Sequence, residues 1–145
     1  MIIDNQLLDT LSSQAKASPR LRQAYDLRNT PEDNSQRMLN ALEPGTVMPI
    51  HRHRKSSESI CMVRGKIVMR LYDDNGNVTD EFVMAPISLH SLPSIPEGDC
   101  NESTIPMVQV EAGQWHSLEV LDEGTVVFEA KDGKYEPLSD EDIMK

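Results

Sequence analysis

The residues best suited to chemistry in this chain cluster in one short stretch. It runs Gly45-Thr46-Val47-Met48-Pro49-Ile50-His51-Arg52-His53-Arg54-Lys55-Ser56-Ser57-Glu58 and continues to Gly65. In extended backbone side chains alternate, so His51 and His53 share a face about 7 Å apart. Two imidazoles at that separation can converge on one ion. Glu58, after a short polar connection, opens the next strand and can return a carboxylate to the same face. His116, in Glu111-Ala112-Gly113-Gln114-Trp115-His116, follows a glycine turn and offers a third ring. Three neutral imidazoles and a carboxylate suit a borderline divalent transition ion, and four protein ligands leave a six-coordinate metal with open positions.

The elements that must position these groups are short strands. The first segment is a helix: Asp4 can cap it, and Leu7, Leu8, Leu11 and Ala15 fall on one face until Ser18-Pro19 ends it. A polar connector with a turn at 31–34 follows. From there the pattern changes to runs of strand length at 36–42, 59–63, 66–72, 78–84, 107–110, 116–120 and 125–130. Glycine-bearing turns separate them, Asn75-Gly76 being the clearest hairpin signal. No helical crossovers interrupt the strands, so the expected fold class is all-β, a sandwich or small barrel, with one N-terminal α-helix. The expected layout is a single domain: helix and connector over 1–35, barrel over 36–131 and a polar, acidic tail over 132–145. Pro86 to Thr104 reads as a long loop.

Composition narrows the function. The chain has 145 residues, 14 Lys plus Arg against 24 Asp plus Glu, and a net charge of −10. Residues 1–72 are net positive and residues 73–145 strongly acidic. An acidic chain with only 4% aromatic residues repels phosphate backbones and lacks stacking platforms, which argues against nucleic acid. No apolar run is long enough to span a membrane, and the start does not resemble a secretory signal. Two cysteines, Cys61 and Cys100, are too few for a disulfide framework. The expectation is a cytoplasmic protein with free thiols. Nucleophile elbows, P-loops, dinucleotide-binding glycine patterns and H-E-x-x-H are absent from the sequence.

The spacing G-x5-H-x-H-x4-E-x6-G, realised by Gly45, His51, His53, Glu58 and Gly65, resembles the first cupin motif at every defining position. The second, P-x-G-x-x-H-x3-N, is matched by Gly113 and His116, with Glu111 for the proline and Val120 for the asparagine. More narrowly, the chain resembles the WbuC-type cupin-fold metalloproteins, small bacterial proteins often associated with surface-polysaccharide gene clusters. That likeness runs through Gln36–Thr46, both motifs, Gly124–Lys131 and Gly133-Lys134-Tyr135. It implies a cupin double-stranded β-helix, a small jelly-roll barrel. One divalent transition metal per chain (Zn, Fe, Ni or Mn) is then expected on His51, His53, Glu58 and His116. The implied function is a metal-dependent enzyme, an isomerase, epimerase or oxygenase-like cupin, acting on a small sugar-related or anionic metabolite in surface-polysaccharide metabolism. The alternative is a non-catalytic module that binds or senses a small ligand.

Around the ligands, Arg54 and Lys55 are placed to draw an anionic substrate inward, and Lys131 and Tyr135 to reach the pocket mouth from the tail. Arg52 should point to a solvated outer face, Trp115 to packing or an interface, and Cys61 to the face opposite Glu58 as a buried small hydrophobe. His90 is expected on the surface of the long loop. Exposed strand edges make a homodimer the expected assembly.

Overall fold

A computed structural model describes residues 1–87 and 104–145. Helix α1 spans Asn5–Ala17, with the Asp4 carboxylate accepting from the Leu7 amide at 3.0 Å. Among the described residues eight strands follow: β1 Arg22–Asp26, β2 Ser35–Leu42, β3 Glu58–Arg64, β4 Ile67–Tyr72, β5 Val78–Met84, β6 Met107–Val110, β7 Trp115–Val120 and β8 Thr125–Asp132. They form two antiparallel sheets, one ordered β1-β2-β8-β3-β6 and the other β5-β4-β7. The expected all-β architecture with one N-terminal helix is therefore present. His90, Cys100 and most of the expected 86–104 loop lie outside the described residues.

Two apolar layers hold this arrangement. Between the sheets pack Leu42, Ile60, Met62, Ile67, Met69, Met84, Val110, Leu118, Val120 and Val127. On the outer face of the larger sheet, Leu8, Leu11 and Ala15 of α1 cover Leu39, Ala41 and Val126. Each buried leucine contributes about 1.5–3 kcal/mol relative to exposure. Arg64 ties the helix to the sheet, donating to Asp9 at 2.7 Å, Ser12 at 2.8 Å and the Gly124 carbonyl at 2.9 Å.

The connector after α1 differs from expectation. Instead of a purely polar link it contains β1, which pairs with β2 over Arg22↔Leu42 to Asp26↔Met38. Arg22-Gln23-Ala24-Tyr25-Asp26 carries little apolar alternation, because an edge strand is held mainly by its ladder hydrogen bonds. The chain enters it through Leu21, whose φ of 53° is in the left-handed region. For a leucine that costs about 1–2 kcal/mol. The Leu21 carbonyl accepts from the Glu43 amide at 3.0 Å and the Arg20 carbonyl from the Thr46 hydroxyl at 2.8 Å, so the strained joint is pinned on both sides.

The segment bearing His51 and His53 is extended but is not a regular strand. It is anchored where His51 and His116 exchange backbone hydrogen bonds of 3.0 and 2.9 Å, and where the His53 carbonyl accepts from the Gly113 amide at 2.8 Å. The tail wraps back over this segment. The Asp142 carbonyl accepts from the Arg52 amide, and the Met144 amide donates to the Ile50 carbonyl.

Gly65 closes the tight turn from β3 to β4 with φ +79°, and a Cβ there would lie 2.7 Å from the Thr125 backbone. Gly65→Ala should therefore destabilise the chain by about 2–4 kcal/mol. Denaturant unfolding should show a lowered midpoint, and an unchanged midpoint would contradict this account of the turn.

Candidate metal centre

His51, His53, Glu58 and His116 offer ligand atoms that all lie within 4.8 Å of one another. Four different contexts bring them there. His51 sits at the bridge to β7, His53 beside the Gly113 turn, Glu58 at the first residue of β3, and His116 within β7. The ring centroids of His51 and His116 are 4.3 Å apart, and those of His51 and His53 are 5.2 Å apart.

The hydrogen bonds decide which nitrogens face inward. Nδ1 of His51 lies 2.9 Å from the Pro49 carbonyl and Nδ1 of His116 lies 3.0 Å from the Gln114 carbonyl. A carbonyl only accepts, so both Nδ1 atoms carry a proton, which leaves Nε2 as the atom each ring can present to the centre as a ligand. His116 Nε2 then lies 3.1 Å from Glu58 Oε2, and His53 Nε2 lies 3.6 Å from the same oxygen. Imidazole nitrogens and a carboxylate oxygen converging in a buried site make a ready set of metal donors. The donor set therefore fits a divalent transition ion.

The electrostatics agree. Burial, then the charge of His116, pushes the His51 pKa down to about 4, while burial and then Lys131 push His53 down to about 4. Both rings are thus neutral at pH 7, the form that ligates. Burial alone would raise Glu58, but its contact with His116 and the charge of Lys131 outweigh it and hold the carboxyl below its ordinary value. Lys131 Nζ lies 3.2 Å from Glu58 Oε1 and 3.4 Å from His53 Nε2. Next to it on the inward face of β8, Glu129 is pushed up to about 7 by burial and by the nearby Glu58.

A cavity of about 550 Å³ opens from this cluster. His51, Glu58 and His116 form part of its wall, as do Lys131 and Tyr135. Arg54 and Lys55 do not line it. Arg54 pairs with Asp142 and with Glu141 at 3.2 Å, and the largely exposed Lys55 pairs with Glu136 at 3.7 Å. Acidic tail residues fold over these cations and take up their charge. Arg52 is also not on a solvated face: it stacks 4.3 Å from the Trp115 ring and pairs with Asp142. Trp115 is packed, its indole N–H donating to Asp74 at 3.0 Å. Cys61 lies on the face opposite Glu58 but is half-buried rather than buried.

Sequence reasoning missed Arg22, Asn40 and Glu129, all of which line the cavity. For Glu129 a signal existed, since the inward positions of β8 read Thr125, Val127, Glu129, Lys131 and put a charged pair at the end of an interior row.

A family model described as a domain of unknown function (DUF6016) matches residues 3–84, more than half of the 145 residues. The chain belongs to this family. No curated protein matches it. Among solved structures, this DUF6016 member is similar to KdgF from Halomonas sp., with a TM-score of 0.57 and 14% identity over 81% of this chain and 84% of that one. It is similar to the capsular polysaccharide assembling protein CapF from Staphylococcus aureus, with a TM-score of 0.60 and 21% identity over 83% of this chain and 30% of that one. The Schizosaccharomyces pombe Cnp3 cupin domain aligns with a TM-score of 0.54 and 12% identity, over 77% of this chain and 64% of that one. This chain thus spans less than a third of CapF and less than two thirds of the Cnp3 chain. At these identities the likeness is one of fold, and the fold is the cupin fold. No helix among the described residues is long and apolar enough to cross a membrane.

Elemental analysis of the untagged protein should find about one divalent transition metal per chain, lost in a His51→Ala/His53→Ala variant. Metal retained in that variant would place the ion elsewhere.

The metal-free protein should also lose stability in mild acid. His51 and His53 protonate near 6.5 when unfolded but only near 4 when folded, so between those values the unfolded chain binds more protons. Their contribution is complete above pH 6.5 and is lost as pH falls towards 4. Glu129 acts in the opposite sense, so the comparison must be made with a variant. Melting of the metal-stripped protein should fall more steeply with acid in the wild type than in His51→Asn/His53→Asn. Parallel profiles would contradict the assignment.

Proposed function

We propose that this protein is a metal-dependent enzyme acting on a small sugar-related or anionic metabolite. One observation carries the reading. Three of the four candidate ligands, His51, Glu58 and His116, are wall residues of a cavity of about 550 Å³, so a molecule in that cavity meets the centre directly. A purely structural ion would be enclosed by its ligands instead. The size lies within the usual range for small-molecule sites.

The roles of the chain's own residues follow from their contacts. The Pro49 and Gln114 carbonyls fix the His51 and His116 rings through Nδ1, leaving Nε2 as the ligating atom. Lys131 offsets the Glu58 charge and fixes one carboxylate oxygen, leaving the other directed at His116. A divalent transition ion held here supplies a Lewis acid or, if it is iron or manganese, a redox-active centre. Tyr135 and Leu138, from the returning tail, form part of the wall.

The resemblance of the sequence to WbuC-type proteins and the fold likeness to a capsular polysaccharide assembling protein both support a substrate from surface-polysaccharide metabolism. The test is a turnover screen of metal-loaded protein against sugar phosphates, nucleotide sugars and keto acids. Conversion of one class should occur and should stop when the metal is removed or His116 is changed to alanine. Binding without conversion would make the protein a ligand-binding or sensing module instead.

A further inference from the structure

The arginines of this chain fall into two groups. Arg28, Arg37, Arg52, Arg54, Arg64 and Arg70 each pair with a carboxylate. Arg20 and Arg22 do not: among the described residues no carboxylate oxygen comes within 4.0 Å of either guanidinium. In a chain with 24 acidic residues, two unpaired arginines two positions apart need a reason. Both line the same cavity as His51, Glu58 and His116.

Arg22 is the more informative. Its Nη1 donates to the Met48 sulfur at 2.8 Å, a weak acceptor. Its Nε is shielded from solvent and has no hydrogen-bond partner. A buried, unsatisfied donor on a permanently charged group is costly, and a planar guanidinium at a cavity wall is the group best suited to grip two oxygens of an oxyanion. Burial, then the neighbouring charge of Arg20, lowers its pKa, with Glu129 opposing. Crowding of like charge is another sign that an anion belongs between them. The strained Leu21 (φ 53°) lies between the two arginines, so the backbone outlier falls at the point where the chain lines the cavity. Arg20, Arg22 and Lys131 line the same cavity as Glu58 and a Glu129 pushed towards its neutral form, so cations outnumber ionised carboxylates along this wall in a protein of net charge −10.

We propose that Arg22, with Arg20 at the rim, anchors the oxyanion group of a small acid, a carboxylate or a phosphate, whose other end reaches the wall formed by His51, Glu58 and His116. This assignment rests on the metal-dependent ligand site and names its substrate class: short acids bearing an oxygen donor for the metal at one end and an anion at the other.

The test uses three probes on one carbon skeleton, glycerate, glycerol 3-phosphate and neutral glycerol. They are titrated calorimetrically into the full-length protein, metal-loaded and metal-stripped. At least one acid should bind about tenfold or more tighter than glycerol, and Arg22→Gln should remove that advantage. A preference for glycerate assigns the anion as carboxylate, and a preference for glycerol 3-phosphate assigns it as phosphate. Arg22→Lys, which keeps the charge but loses the planar fork, should fall between the two. It also carries the test if Arg22→Gln does not fold. Arg70→Gln, which breaks an exposed ion pair, should bind like wild type, and metal content should be equal in all variants. Acids that bind no better than glycerol, or Arg22 variants that bind them like wild type, would overturn the assignment. Arg22-dependent acid binding that is the same with and without metal would uphold Arg22 and remove the metal from the ligand site.

Discussion

The amide of His51 donates to the carbonyl of His116, and the amide of His116 donates back. This closed pair joins an otherwise irregular segment to β7, and the geometry of the centre follows from it. It sets the two rings 4.3 Å apart. The carbonyls two residues upstream, of Pro49 and Gln114, then sit where each Nδ1 can donate. The two histidines are thus related almost symmetrically, each with its own i−2 carbonyl and its partner's backbone. Glu58 reaches the same point from β3, whose register against β8 pairs it directly with Lys131. Main-chain pairing, rather than side-chain packing, is what converges the ligands.

The apolar layers serve that convergence at a distance. The core between the sheets keeps β3 and β7 facing each other, and α1 covers the back of the larger sheet. Near the centre the interior changes character. Along β8 it passes from Thr125 and Val127 to Glu129 and Lys131, and along β3 from Met62 and Ile60 to Glu58. One end of the barrel is hydrocarbon and the other is a charged chamber. Groups in that chamber are buried enough that each must be matched by a neighbour or by something bound.

Much of this was open to sequence reasoning. The H-x-H-x4-E spacing is set by the period of extended backbone and needs no tertiary information, so His51, His53 and Glu58 could be grouped directly. His116 needed only the glycine turn before it. The strands from 78–84 and 107–110 were readable to the residue because turns or alternation bounded them. β1 was not readable, because an edge strand of Arg, Gln, Ala, Tyr and Asp has no hydrophobic period and is created by its partner β2. The cavity arginines were hidden for the same reason. Conversely, Arg54 and Lys55 looked available only because the acidic tail that neutralises them lies more than eighty residues away in the chain.

The fourth ligand, His116, comes from a part of the chain distant from the other three. Glu58 and His116 lie 58 residues apart in sequence, so the complete centre cannot exist before the two halves of the barrel have closed on each other. His51, His53 and Glu58 are near neighbours even in an unfolded chain, but without His116 and without the fold to aim them they make a far weaker site than the four-ligand set. Metal capture is therefore an event of the finished fold rather than a nucleus for it. By mass action the ion would hold the native state selectively, acting as a latch on a barrel that topology, with its long loop closures, makes slow to assemble.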